Sequence, residues 1–144
     1  MDDAVLRLSF ADGSEPFSGA LIHRVYIRAS IASPYEATLL VHSTDPAVDP
    51  HTVIGLQAEL VIAGEPYVDR VPGIVRSVRQ LTSVTSAVGH TASYYEVTLV
   101  PPHFLASLRF GRRIYQDRDA VGIVRDIHVR RSGSGLARWT QSAR

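Results

Sequence analysis

Asp45, Asp49 and His51 are the residues whose types and spacing come closest to acid–base chemistry, because they lie together in one short stretch. A histidine beside carboxylates can transfer protons in a hydrolytic reaction. The same stretch contains Pro46 and Pro50, which is typical of a turn. Aspartate side chains in turns commonly accept hydrogen bonds from nearby backbone amides. We therefore expect turn and capping residues here, and a hydrolase built on these three side chains is the alternative.

The histidines of the chain give no metal-binding pattern. No two of them are four residues apart on a predicted helix, and no acid stands at ligand spacing on a shared face. The sequence has no cysteine, which excludes thiolate nucleophiles and zinc sites built on sulfur. It also has no G-x-S-x-G segment and no glycine-rich phosphate loop. We therefore predict no catalytic residue, no cofactor and no metal. The histidines are His23, His42, His51, His90, His103 and His128.

A basic cluster near the C-terminal end offers a different chemistry, since three arginines precede Tyr115. Guanidinium groups beside an aromatic ring can bind phosphates and stack on bases, so a small barrel that binds an oligosaccharide or single-stranded nucleic acid is one interpretation. Against it, the 15 basic and 14 acidic residues nearly cancel, and a strong field for nucleic acid is not expected. We favour a contact with protein. The predicted partner or subunit interface consists of Arg109, Arg112, Arg113, Ile114, Tyr115 and Gln116.

The elements that must position these residues are mostly strands, because apolar and polar residues alternate in several segments. In residues 23–31, Val25, Ile27, Ala29 and Ile31 share one face, which predicts a half-buried strand. Similar alternation predicts strands at residues 35–42, 56–62 and 93–100, and a further strand is predicted at about 67–79. The residues expected to share one face are Tyr35, Ala37, Leu39 and Val41 in the first, Leu56, Ala58, Leu60 and Ile62 in the second, and Tyr95, Val97 and Leu99 in the third. In the strand predicted at 67–79, Pro72-Gly73 predicts a bulge or kink.

Turns and short helices separate the predicted strands. Asp49-Pro50 is typical of a helix start and predicts a short helical turn up to Ile54. Residues 81–92 predict a long loop or an irregular hairpin end. Short helices are expected at residues 103–109 and at 120–129, the latter capped by Asp117 or Asp119. Strands broken by turns every 8 to 12 residues or so predict a mainly β fold with short helices, a small antiparallel barrel or sandwich.

Length and composition fit one ordinary domain. The 144 residues are 45% hydrophobic and 20% charged. The N-terminus carries acidic Asp2 and Asp3 where a signal peptide needs basic residues. No apolar run approaches the roughly 20 residues of a membrane helix. We therefore expect assembly in the cytoplasm without a signal peptide, and no membrane insertion.

Three stretches, taken in order, resemble the N-terminal part of the VgrG-type spike proteins of type VI secretion and of related phage tail baseplate hubs. The first is SPYEATL at residues 33–39, followed by IGLQAEL at 54–60. The second is VPGIVRSV at residues 71–78. The third runs from YEVTLVP at 95–101 through LASLR at 105–109 to RIYQD at 113–117 and IVRDI at 123–127. The order and spacing of the third stretch are its most specific feature.

The resemblance implies an antiparallel β-barrel of the hub type in a structural protein without enzymatic activity. It implies a homotrimer of the full-length protein, and two similar barrels per chain would then give a ring that matches a hexameric, Hcp-like tube protein. Effector or baseplate proteins are further partners that it implies, with delivery outside the cell by the injection apparatus. Residues 1–131 would form the first barrel with a trailing helix. Residues 132–144 would be a flexible tail or the start of the remainder of the hub.

Overall fold

The computed structural model describes residues 5–87, 89, 91–108 and 114–129, with only the backbone of residues 127–129. The chain forms two compact units, Met1–Phe104 and Leu105–Arg144. The first unit holds the β-sheet. The elements are β1 (Val5–Phe10), β2 (Leu21–Ser30), β3 (Ser33–Ser43), α1 (Pro50–Val53), β4 (Gln57–Gly64), β5 (Tyr67–Thr85), β6 (Thr91–Val100), α2 (Phe104–Ser107) and α3 (Ala120–Val129).

The strands form a single antiparallel sheet with the order β1-β4-β5-β6-β3-β2. The first two strands of the sequence are therefore its two edges. The sheet curls until β1 and β2 approach one another, which gives an open barrel. The predicted mainly β fold of the barrel type is confirmed.

The core lies on the concave face of the sheet. Leu39 and Val41 of β3 and Val97 and Leu99 of β6 are fully buried there, because alternate residues of paired strands point to the same side. Leu60 of β4 faces them across the barrel and is also fully buried. Burial of this kind stabilises a fold by roughly 1.5–3 kcal/mol per large aliphatic side chain. The faces predicted for these strands are confirmed.

The alternation in β2 has a different outcome. Val25 packs against the core, whereas Ile27 is 39% exposed and Ile31, just beyond the strand, is fully exposed. The predicted half-buried face is therefore wrong for the outer half of β2. The reason is that β3 pairs with β6 only from Ala37 onward, so the end of the β2–β3 hairpin is a two-stranded ribbon beyond the core.

The strand β5 also differs from the prediction. It continues to Thr85, where it pairs with Thr91 of β6, so of the two alternatives predicted for 81–92 the long loop is wrong and the irregular hairpin end is confirmed. No register shift occurs at Pro72-Gly73, where pairing with β4 is continuous. The irregularities of β5 lie instead between Val75 and Ser77 and between Gln80 and Thr82.

Pro72 and Gly73 are tolerated in β5 for separate reasons. Pairing of β5 with β6 begins at Ile74, so the missing amide of Pro72 removes no hydrogen bond to that strand. A Cβ at Gly73 would lie 3.0 Å from the carbonyl oxygen of Val100 and 3.3 Å from Cβ of Leu99. Gly73 therefore allows a close approach between the backbones of β5 and β6. The prediction of a bulge or kink at this position is wrong.

The N-terminal strand β1 was not predicted, although its Leu6, Leu8 and Phe10 pack against the core.

In the second unit, α3 spans the predicted residues, and the Asp119 carboxylate accepts a hydrogen bond from the Gly122 amide at 2.8 Å. Asp119 is thus the capping residue. Within the described residues, no helix is long and apolar enough to cross a membrane.

Candidate interaction surface

The three residues with acid–base potential lie in a turn that is tied to the core. The Asp49 carboxylate accepts a hydrogen bond from the His51 amide at 2.9 Å and caps α1, while that of Asp45 accepts one from the Ala47 amide at 2.9 Å. The His51 side chain is exposed. Both carboxylates therefore serve backbone amides, as the turn and capping prediction states.

Tyr95, a buried residue of the core, holds this turn by two hydrogen bonds. Its hydroxyl donates to the Asp45 carbonyl at 3.1 Å and accepts from the Val48 amide at 3.2 Å. The side chain is 1% exposed, and its ring contacts Phe17 with centroids 5.5 Å apart. This buried tyrosine satisfies backbone groups that the apolar interior could not solvate. The hydroxyl of Tyr95 therefore has a structural role.

The predicted interface near the C-terminal end is described only in part. Arg109, Arg112 and Arg113 lie outside the described residues. Ile114 is 89% exposed, Gln116 is exposed and Tyr115 is half-buried. An isoleucine with this exposure has a side chain that a partner could cover.

The convex face of the sheet carries three ion pairs, and β5 supplies the arginine of each. Arg70 contacts Glu59 at 2.8 Å, and Arg79 contacts Glu96 at 2.9 Å. Arg76 contacts Glu36 at 2.7 Å, and its guanidinium lies 4.9 Å from the centroid of the Phe104 ring. All three are solvent-accessible pairs of modest strength. The three arginines of β5 are therefore paired within the sheet.

The edge strand β2 shows the opposite arrangement. Arg24, Tyr26 and Arg28 follow each other on its convex face, and Tyr26 is 65% exposed. Among residues 5–87, 89, 91–108 and 114–129, no carboxylate lies within ion-pair distance of Arg24 or Arg28. Glu36, which stands opposite Arg28 in the register, binds Arg76 instead. The edge thus presents two uncompensated cations around an aromatic ring.

A shallow groove of about 330 Å³ lies beside this row. Tyr26 and Leu81 form its apolar sides. Leu40 and Glu96, which belong to the strands between them, also line the groove. Register shifts in β2 and β5 flank it, at Ile22/Arg24 and at Gln80/Thr82. Bulges of this type bend a strand and redirect side chains, which accounts for a depression on a convex face.

The shift in β2 also creates an aromatic cluster that the sequence pattern did not indicate. The rings of His23, His42 and Tyr94 lie with centroids 5.4 to 5.9 Å apart. Nδ1 of His42 is buried without a hydrogen-bond partner. Within the part of the chain that the structure describes, no group of three potential metal ligands occurs, here or elsewhere.

A second depression, of about 420 Å³, lies where the two sheet edges approach. It is lined by β1 and by the segment that leads to β2. In that segment the hydroxyl and amide of Ser14 donate to the Asp12 carboxylate at 2.7 and 2.9 Å, which lowers the pKa of Asp12. These bonds hold a surface turn, and the carboxylate is fully exposed.

One further polar contact crosses the sheet. The Tyr35 hydroxyl donates to the carbonyl of Pro72 and joins the β2–β3 hairpin, near its turn, to β5. Burial raises the pKa of the Tyr35 phenol. The hydroxyl of Tyr35, like that of Tyr95 and the carboxylates of Asp45 and Asp49, binds backbone groups and so has a structural character.

Comparison with known proteins agrees with this character. The sequence matches the family described as phage tail baseplate hub (GPD) over residues 28–140. No curated protein matches it.

A solved structure gives the same fold. The E. coli c3393 protein, a component of the type VI secretion system with structural similarity to the T4 bacteriophage tail proteins gp27 and gp5, superposes with a TM-score of 0.67 at 19% identity. The match covers 90% of this chain and 33% of that one, so the chain spans about a third of the length of its structural relative. At this identity the likeness concerns the fold.

Proposed function

Because the chain belongs to the phage tail baseplate hub family, we propose that it is part of a trimeric adaptor between the tube and the spike of a contractile injection apparatus. Membership of the family makes it a structural component of a tail hub or type VI spike. The observation that carries the proposal is the coincidence of the family match over residues 28–140 with an open barrel of the hub fold.

The described surface supports an assembly role over an enzymatic one. Its depressions are open to solvent; of their polar groups, Glu96 pairs with Arg79, and the Ser14 hydroxyl donates to the Asp12 carboxylate in a surface turn. A catalytic site would need ionisable groups brought together in a desolvated cleft. We therefore propose no turnover of substrate by this segment.

The proposed partners follow from a hub position. The full-length protein would be a homotrimer that binds a hexameric, Hcp-like tube protein, with effector or baseplate proteins attached to it. It would be assembled in the cytoplasm and carried out of the cell by the apparatus. Residues 1–131 would be the first barrel with its helix; residues 132–144, for which the sequence predicts a flexible tail or the start of the remainder, lie outside the described residues.

The contact surface that we propose for these partners is the segment around Ile114. An exposed isoleucine followed by Tyr115 and Gln116 offers apolar and hydrogen-bonding groups together. Interfaces of this kind place an apolar anchor within a polar rim. The arginines of the predicted interface, Arg109, Arg112 and Arg113, would contribute to that rim.

The experiment uses the full-length hub protein that carries this segment. The substitution Ile114→Asp would desolvate a charge in the contact, so we expect loss of the trimer in sedimentation analysis or loss of binding to the tube protein. Val121→Asp is the matched control, because Val121 is also exposed, at 65%. A monomeric wild-type protein without affinity for the tube protein would refute the proposed function. An unchanged Ile114→Asp variant would refute the contact surface only.

A further inference from the structure

The free edge of β2 has a charge pattern that selects what can pair with it. Its inner neighbour is β3, and among the described residues no strand pairs with its other side, so backbone donors and acceptors are available there. On the convex face, Arg24 and Arg28 stand on either side of Tyr26, and neither forms an ion pair in the described sheet, because Glu36 opposite Arg28 pairs with Arg76. An added strand would face this row directly.

A second copy of the same edge fits this row badly. Antiparallel pairing of two β2 strands about Tyr26 would set Arg24 of each copy opposite Arg28 of the other. Like charges directly opposite one another destabilise a pair of strands. Pairing β2 with the β1 edge of another copy has the same defect, because β1 presents exposed Arg7. Both edges of the sheet are basic, and each needs a partner of the other sign.

We propose that β2 is a docking edge for an extended segment of a different polypeptide, in which two carboxylates alternate with an apolar residue. The carboxylates would lie opposite Arg24 and Arg28, and the apolar side chain would pack against the exposed ring of Tyr26. Cross-strand pairs of these two types are favourable. Backbone hydrogen bonds along the edge supply affinity, and the side-chain pattern supplies specificity.

The competing explanation of this row is charge protection, in which Arg24 and Arg28 keep the exposed edge from pairing with other chains. Natural proteins place cations on exposed edges to prevent aggregation. Such cations repel further chains without selecting a partner. The two explanations differ in whether the edge binds an acidic strand, and that difference can be measured.

The probe is a capped peptide, Thr-Glu-Val-Leu-Val-Glu-Thr, whose glutamates and leucine fall on one face of a strand. We expect the 144-residue chain to bind the labelled peptide in fluorescence anisotropy. We also expect slower hydrogen exchange of alternate amides in β2. Two control peptides have lysine in place of glutamate and proline in place of the second valine, which removes a backbone donor. Neither control should bind.

Charge reversal is the decisive test. In the double variant Arg24→Glu and Arg28→Glu, affinity for the acidic peptide should fall about tenfold or more, and the lysine peptide should now bind. Arg7→Glu, on the other edge, is the matched control and should bind the acidic peptide like the wild type. Both sites are exposed, so unfolding is not expected; thermal unfolding of each variant checks this.

Three outcomes would overturn the inference. Absence of binding by the wild type would favour charge protection, and loss of binding in Arg7→Glu alone would place docking on β1. Self-association of the wild-type chain through β2, removed by the double variant, would identify a second copy as the occupant. None of these outcomes bears on the proposed hub function, because that function is tested by trimer formation and tube binding of the full-length protein.

Discussion

The centre of the sheet and its β2 edge are built from the same alternation of side chains, yet they have opposite surroundings. Leu39, Val41 and Val97 of the central strands are fully buried. In β2 only Ile22 is buried to a comparable degree, at 8%, and Tyr26 is 65% exposed. The centre has strands on both sides and the concave core beneath it, whereas the outer half of β2 has neither.

This difference separates two roles within one sheet. The central strands supply the burial that holds the barrel together, because each has a complete set of neighbours. The edge adds little to that core and keeps its backbone groups and cations available. Substitutions should therefore affect stability at the centre and association at the edge.

The largest effect is expected for Leu39→Ala in β3. Removing a fully buried leucine loses its transfer free energy and leaves a cavity, which typically lowers the free energy of unfolding by about 2–5 kcal/mol. Ile27→Ala, in the neighbouring strand, should cost less than about 1 kcal/mol because Ile27 is already 39% exposed. Urea unfolding of both variants measures the two values. Similar losses would mean that the edge is packed as tightly as the centre.

Tyr95→Phe should have the next largest effect. The substitution keeps the ring in the core but removes the hydroxyl that accepts from the Val48 amide and donates to the Asp45 carbonyl. A buried backbone amide left without a partner costs about 1–3 kcal/mol. Thermal unfolding measures the loss, with Tyr26→Phe at the edge as the control that should leave stability unchanged. Equal stability of wild type and Tyr95→Phe would show that water replaces the hydroxyl.

The contrast between the centre and the edge of the sheet also explains how much of the fold could be predicted from the sequence. Five of the six strands that the structure describes were predicted, four of them from period-two alternation, and the faces of β3, β4 and β6 were assigned correctly. The cap residues Asp49 and Asp119 were also recognisable, because capping depends on neighbouring residues alone.

What the sequence did not predict depends on residues far away in the chain. Whether a face is covered depends on where the neighbouring strand ends, so the exposure of Ile27 follows from pairing that starts at Ala37. The tight approach at Gly73 depends on Val100, and the cluster of His23 and His42 depends on a register shift in β2. Alternation gives no signal for any of these. The lack of carboxylates opposite Arg24 likewise required the register.

Tyr35→Phe should have a smaller, pH-dependent effect where the hairpin meets the centre. Loss of the hydrogen bond to the Pro72 carbonyl should cost about 0.5–1.5 kcal/mol. Burial raises the pKa of Tyr35, so its contribution is complete below the unfolded phenol pKa of about 10 and is lost as the pH rises through the folded pKa. Urea unfolding of both proteins from pH 7 to 11 should show their difference shrinking above about pH 10. A difference that grows with pH would contradict the raised pKa.

The smallest effect is expected for charged residues on the convex face. There the arginines at the centre of the sheet form ion pairs, and those of the β2 edge have none among the described residues. Arg79→Ala removes an accessible ion pair with Glu96 and should cost about 0.2–1 kcal/mol at low salt. Screening in 1 M salt, where the Debye length is about 3 Å, should remove most of that loss. Arg24→Ala should change stability by less than Arg79→Ala at either salt concentration, because no described carboxylate pairs with Arg24. If Arg24→Ala were the more costly change, the guanidinium would have a partner within the chain, and the edge could not offer it to another strand.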